Sequence, residues 1–278
     1  MLGFEAKVLA DSVPERGGQR ITTMQLTQPR CIHAEFMTHR THSRNAASSR
    51  AIPVERMSLN VQEQPFMPIY WGSNQGGMQA GDEIPPDRQH EAAAAILEHR
   101  DAAVALVDRL TGLGLHKQIV NRYLEPWMWI TVIATASERG WANFYSLRCH
   151  KDAEPHIQKV AYMARDAMAA STPRVLTASD WHLPLTGFDG DESLSVRDSV
   201  RVCVGRCARV SYLTHDGVRD PSADIALHDR LHESRHWSPF EHAARPLSDN
   251  DTDPSKLAGN LGYGWVQYRK LFPGEFAR

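Results

Sequence analysis

With 278 residues, 42% of them hydrophobic, 23% charged and no linker-like tract, the chain is long enough for one large domain or two closely packed ones around a substantial core, which excludes wholesale disorder. A net charge of -2 leaves no overall basic field of the kind that grips duplex nucleic acid. No stretch of about 18 apolar residues occurs, and the opening MLGFEAKVLADSV lacks the basic start and apolar run of a signal peptide, so a cytoplasmic protein without a membrane span is expected.

Residues 6–11 and 20–27 read as strands. In the second, Ile21, Thr23 and Gln25 alternate with Thr22, Met24 and Leu26, which places the two sets on opposite faces of a sheet. Over 29–37 the spacing of Ile32, Phe36 and Met37 becomes helical. Residues 38–51 are polar and run up to Pro53, which predicts a helix end leading into a ligand-facing loop, or a short helix broken by the proline. Residues 54–87 contain WGSNQGGMQAG and IPPD and predict a long loop, either functional or disordered.

An Ala-rich helix is expected over about 88–112, closed by Gly112 and Gly114. Residues 115–139 predict a helix interrupted at Pro126, and 141–150 continue as helix or turn. Residues 151–169 form an amphipathic helix with Ile157, Val160, Ala161, Ala164 and Met168 as its stripe. A Ser/Thr/Asp/Gly/Pro-rich excursion covers 171–198, and VRVCVGRCARVSY then reads as a strand followed by a helix. Residues 221–234 read as a helix with Pro221 just inside its start. LAGNLGYGWVQYRKLF reads as a glycine turn into an aromatic helix. No internal repeat is present. One domain over 1–278, with inserts near 54–87 and 171–198, is expected.

Chemistry concentrates in four segments. Thr38-His39-Arg40-Thr41-His42-Ser43-Arg44-Asn45-Ala46-Ala47-Ser48-Ser49-Arg50 carries many donors and no acidic residue, unlike an exposed polar helix with its usual Glu partners. Guanidinium forks match phosphate, and clustered arginines in a near-neutral chain suit a small anion better than a long polyanion; solvated surface arginines are the plainer alternative. The second segment is Ser137-Glu138-Arg139 followed by Asn143-Phe144-Tyr145-Ser146-Leu147-Arg148-Cys149-His150, in which a helix would put Arg139 and Asn143 on one face. Asn121-Arg122-Tyr123-Leu124-Glu125-Pro126 and Ser234-Arg235-His236-Trp237-Ser238-Pro239-Phe240-Glu241-His242 complete the set. The cysteines are Cys31, Cys149, Cys203 and Cys207; the single close pair lacks a second pair, so no metal site is expected and reduced thiols are the simpler reading. The glycines of 259–264 do not form the dinucleotide-binding fingerprint.

These segments resemble those of the flavin-dependent thymidylate synthases. The first resembles that family's Arg-His-Arg, seven residues, Ser, one residue, Arg signature: His39, Arg40, Ser43, Asn45, Ser48 and Arg50 keep the spacing, and Thr38 replaces the first Arg. The second resembles its Asn-Phe-x-x-Leu-Arg element, and Arg122-x-x-x-Pro126 fits a family helix. The fourth resembles Gly-His-x-Ser-x-x-Glu-His with Arg235 in place of Gly. That last element usually precedes the Arg-His-Arg signature, whereas in this chain it comes last, which implies a divergent, circularly permuted member.

The resemblance implies an α+β fold of that family, a mixed sheet with long helices, and a homotetramer whose sites draw on several subunits. It implies reductive C5-methylation of dUMP to dTMP, with FAD as cofactor, NADPH as reductant and methylenetetrahydrofolate as carbon donor. UMP, or another pyrimidine nucleotide destined for phage DNA, is the alternative substrate. His39, Arg40, Asn45, Arg139, Asn143, His236 and Ser238 would face FAD, and Arg50 and Arg122 would hold the nucleotide. Arg148 would bind the pyrimidine and polarise C5, with Ser48 as the second catalytic residue. His39 or His236 could instead satisfy a backbone carbonyl. A nucleic-acid-binding module and a catalytically dead flavoprotein are the competing classes.

Overall fold

In the computed structural model, residues 3–188, 191–210, 219–257 and 259–275 are described. Strand β2 (Ile21–Pro29) pairs antiparallel with β1 (Glu5–Pro14) and with β4 (Trp129–Ser137). Beyond β4 lies β3 (Ser43–Ala46), and β5 (Arg174–Leu176) runs parallel to β1, which gives a mixed sheet in the order β3-β4-β2-β1-β5. The register sets Met24 opposite Ala134 and Leu26 opposite Val132 on one face, and Thr23 opposite Thr135 on the other.

Helices α5 (Glu138–Arg148) and α6 (Pro155–Ala169) cover the apolar face. Trp141, Phe144, Ile157, Val160, Ala161 and Ala164 are buried there against Met24, Leu26, Val132 and Ala134. The stripe expected over 151–169 is therefore the buried face of α6. Its start is fixed by Glu154, whose carboxylate accepts from the amides of His156 and Ile157, with Pro155 at the first helical position. The Trp141 indole N–H donates to the Thr22 carbonyl at 3.0 Å, so the largest buried ring has its polar atom satisfied.

The opposite face is covered by α7 (Val196–Ala208), backed by α8 (Pro221–Glu233), and by the hairpin of β6 (Ala244–Pro246) and β7 (Trp265–Gln267). Gly205 lets α7 and α8 touch, since a Cβ there would lie 2.4 Å from the Asp224 carbonyl oxygen. Next to it the fully buried Arg206 forks onto Asp191 (2.6 and 2.8 Å) and reaches Asp224 (2.9 Å). Both carboxylates are thereby committed, as buried charges must be. Among the described residues the remaining α-helices are α1 (His33–Phe36), α2 (Val54–Glu63), α3 (Pro86–Gly112), α4 (Lys117–Val120) and α9 (Pro254–Leu257).

Five expectations need correction. Residues 43–46 of the polar segment, expected as a helix end and loop or a short helix, form strand β3 on β4. Residues 129–137 form a strand, not helix: buried on both faces, the run lacks the alternation that marks a half-exposed strand. Helix α2 occupies the first part of the segment expected to be a loop from 54, with Pro53 as its entry. VRVCVGRCA is helical, with Val200, Cys203, Val204 and Cys207 buried at helical spacing; the Ser195 hydroxyl accepts from the Asp198 amide as a cap, a start signal its β-branched residues concealed. Positions 211–212 of that stretch fall outside the described residues. At 265–271 a short strand and a 3-10 turn replace the expected aromatic helix.

Arg235 closes α8 in a left-handed conformation, φ 55°. The Arg235 amide bonds to the His232 carbonyl and the His236 amide to Leu231, the paired bonds of a Schellman end. Glycine adopts this conformation without a Cβ penalty. Arg235→Gly should therefore raise stability by about 1 kcal/mol, read as a higher denaturation midpoint.

Candidate active site

After α1 the chain turns sharply before entering β3, and that turn is held by Thr38, Arg44 and Arg148, of which Arg148 was expected to meet a ligand. The Thr38 hydroxyl donates to the Glu35 carbonyl at 2.7 Å. One guanidinium nitrogen of Arg44 donates to the carbonyls of Met37 (2.7 Å) and His39 (3.1 Å). Arg148, the last residue of α5, reaches the same turn. Its Nε donates to His39 Nε2 at 3.0 Å, one Nη donates to Glu35 at 2.9 Å, and the other lies 3.5 Å from the Thr38 hydroxyl.

His39 is buried and accepts on Nε2, so it carries its proton on Nδ1. Burial, with the charges of Arg148 and Arg44, pushes its pKa down to about 4. His42 is buried edge-on to Trp141, ring centroids 4.6 Å apart, and neither of its nitrogens has a hydrogen-bond partner. Burial, then His39 and Arg44, brings it to about 3.

Asn45 lies on β3, where the C-terminal segment meets it. One end of its carboxamide is 2.8 Å from the Ser238 hydroxyl, 3.1 Å from His242 Nε2 and 3.2 Å from the carbonyls of both Arg44 and Ser238. Carbonyls only accept, so that end is the NH2 group. The His-x-Ser-x-x-Glu-His segment is thus joined to the Arg/His-rich segment through Ser238 and His242, although the two lie far apart in sequence. His236 is exposed.

A hollow of about 220 Å³ opens on the other side of α1, lined by Arg30, His33, Ser48, Ser49, Arg50, Arg122 and Glu125 among others. The loop forming it is pinned by the buried Asn121, whose amide donates to the carbonyls of Ser49 (2.8 Å) and Ile52 (3.1 Å). Arg30 pairs with Glu125 at 3.5 Å. Burial, then Arg30 and Arg44, lowers the His33 pKa to about 4. Expected nucleotide-side residues Ser48, Arg50 and Arg122 therefore line one hollow. Helix α1 bridges to Arg148, with His33 toward the hollow and Glu35 on Arg148.

Arg139 and Asn143 share the exposed side of α5, as their spacing predicted. The helix sits close to the turn there, since a Cβ on Gly140 would lie 3.2 Å from the Thr41 hydroxyl. Among the described residues, Arg40, Arg50, Arg122 and Arg139 make no ion pair or side-chain hydrogen bond. Exposed guanidinium groups without acidic partners are the donor set that phosphate or diphosphate groups require, so the chain offers a fitting surface for FAD. Sequence reasoning missed Arg30, His33 and Glu35, which adjoin the polar segment, and quoted His242 within the fourth segment without giving it a role.

A family model described as thymidylate synthase complementing protein matches residues 20–174, more than half of the chain. The chain belongs to this family. It is accordingly an enzyme of flavin-dependent C5-methylation of uracil nucleotides, a pyrimidine nucleotide methyltransferase. No curated protein matches it. Among solved structures, the UMP/dUMP methylase PolB from Streptomyces cacaoi, bound with 5-Br UMP, shares the fold at TM-score 0.50 and 17% identity, over 61% of this chain and 90% of that one. The same methylase bound with 5-Br dUMP aligns at TM-score 0.47 and 15% identity, over 60% and 90% respectively. No helix among the described residues is long and apolar enough to cross a membrane.

The buried imidazoles give this family member a definite acid response. His42, His182 and His242 are lowered to about 3 and His39 to about 4, from a usual 6.5. Folding therefore favours their neutral forms. The stabilisation is complete above pH 6.5 and is lost as pH falls toward 3–4. Each histidine contributes about 1.4 kcal/mol per pH unit in that window. Denaturation midpoints measured from pH 7 to 4.5 should fall steeply. His42→Phe, whose ring loses no hydrogen bond, should remove about one histidine's share of that slope.

Proposed function

We propose that this enzyme converts dUMP to dTMP by FAD-dependent reductive methylation, with methylenetetrahydrofolate as carbon donor and NADPH as reductant. The observation that carries the reading is a set of arginines without acidic partners: Arg50 and Arg122 in the hollow lined by His33 of α1, and Arg40 and Arg139 next to the close approach of Thr41 and Gly140. Bound FAD would supply the hydride and the folate the carbon. His39, Arg40, Asn45, Arg139, Asn143, His236 and Ser238 hold the flavin. Arg50 and Arg122 take the nucleotide phosphate in the hollow beside Ser48.

Arg148 meets the pyrimidine ring. A guanidinium at that point stabilises negative charge developing on the ring and polarises C5. The Glu35 and His39 contacts aim it. His39, neutral and accepting from Arg148, adds no competing positive charge. Thr38, standing where the family's first Arg would be, holds the turn through the Glu35 carbonyl rather than reaching a ligand.

A second substrate has support. The methylase that shares this fold is described as acting on both UMP and dUMP, and a single hydroxyl discriminates weakly unless a site is built to bind it. The position of 236–242 outside the matched 20–174 supports a permuted chain order. We take the assembly to be a homotetramer; much of the long α3 is exposed, with Ala103, Val104 and Val107 as its buried residues.

The purified protein should be yellow and should release tritium from C5-labelled dUMP. Arg148→Ala should cut turnover by about a hundredfold while flavin absorbance is retained. Loss of flavin with unchanged turnover per bound flavin would show that Arg148 holds the cofactor and not the pyrimidine. Higher turnover of UMP than of dUMP would replace the substrate, and steep salt-sensitive oligonucleotide binding by a colourless protein would replace the function.

A further inference from the structure

Across the sheet face opposite α5 and α6 runs an unbroken line of polar side chains leading to Asn45. Ser12 Oγ is 2.9 Å from His182 Nδ1, and His182 Nε2 is 2.7 Å from Thr23 Oγ1. Thr23 Oγ1 is 2.6 Å from Thr135 Oγ1, which is 2.8 Å from His242 Nδ1. His242 Nε2 then meets the Asn45 amide at 3.1 Å. Ser12, Thr23, Thr135 and Asn45 stand on β1, β2, β4 and β3, four adjacent strands, with one imidazole bridging at each end. Ser12 is 4% exposed, His182 1%, and Thr23, Thr135 and His242 0%.

Such a line is a costly way to fill a core. Valine has nearly the shape of threonine, and replacing both partners of a buried hydrogen bond by apolar groups can be neutral. Its polarity, however, can be read at one end. The carbonyls of Arg44 and Ser238 commit the near end of the Asn45 carboxamide to being NH2. His242 Nε2 must then accept, and its proton sits on Nδ1, donated to Thr135. The amide oxygen of Asn45 is turned away from the line.

We propose that Ser12, His182, Thr23, Thr135 and His242 form a positioning relay that, together with the carbonyls of Arg44 and Ser238, locks Asn45 with Oδ1 outward, as an acceptor for a ring imide N–H of the bound heterocycle. The heterocycle's identity rests on the function proposed above, and the relay's polarity does not. Both isoalloxazine and uracil carry such an N–H, so flavin affinity and nucleotide KM are measured separately.

Nitrogen-15 histidine spectra of the ligand-free protein should show His242 with its proton on Nδ1; a proton on Nε2 overturns the proposal. Thr23→Val cuts the line two links from Asn45, and Thr135→Val cuts it one link away. Each should mix the His242 tautomers and weaken either FAD affinity or nucleotide KM by about tenfold, the worth of one hydrogen bond. Thr23→Ser, which keeps the hydroxyl, should restore both. A fall in FAD affinity identifies the flavin as the donor, and a rise in nucleotide KM identifies the pyrimidine. If Thr23→Val folds and changes neither tautomer nor affinity, the line is only structural and the proposal fails. A protein with the stated tautomer but no methylation of any pyrimidine nucleotide would overturn the function and leave the relay standing.

Discussion

The pairing of β2 with β4, with both strands buried on both faces, is the constraint from which the rest of the structure follows. One face is apolar, so it demands a helical cover, which α5 and α6 supply through Trp141, Phe144 and Ile157. Covering that face brings the end of α5, and so Arg148, against the turn that follows α1. The other face carries Thr23 and Thr135, which cannot be buried unless their hydroxyls are satisfied. That requirement brings in His182 and His242 from the C-terminal half of the chain. The sheet thus selects the neighbours of the site from both sides.

Charge is distributed on a similar principle. Where arginines serve the fold they are matched: Arg206 by Asp191 and Asp224, Arg245 by Asp251, and Arg20 by Asp11. The arginines Arg40, Arg50, Arg122 and Arg139 have no such match among the described residues. Leaving cations unpaired in neighbouring segments disfavours the bare protein through mutual repulsion. An anionic ligand relieves that repulsion, so binding should also stabilise the fold. The histidines between these charges stay neutral and do not add to the repulsion.

What could be read from the sequence followed local pattern. β2 was legible because its two faces differ in polarity, and α6 because its stripe meets one layer only. α3 was legible through its composition and its closing glycines. β4 was not, since a central strand with two apolar surroundings has no period of two to detect. α7 was obscured by valines, although Ser195 and Asp198 mark its start. The arginine and serine set was legible as chemistry, but the gathering of Ser48, Arg50 and Arg122 into one hollow away from Arg148 was not. That separation depends on a turn built from backbone carbonyls accepting from Thr38 and Arg44, and such contacts leave no periodic trace. The meeting of Ser238 with Asn45 joins segments nearly two hundred positions apart, beyond the reach of any local pattern.

The contact between Arg148 and Glu35 carries a thermodynamic corollary. A side chain already held in one rotamer by a carboxylate and an imidazole gives up little further freedom when a ligand arrives. It also arrives with its charge partly answered, so a ligand gains only the difference between two polar environments. Under the proposed function, recognition at this point would favour direction over strength, and tight capture of phosphate would fall to Arg50 and Arg122 in the hollow.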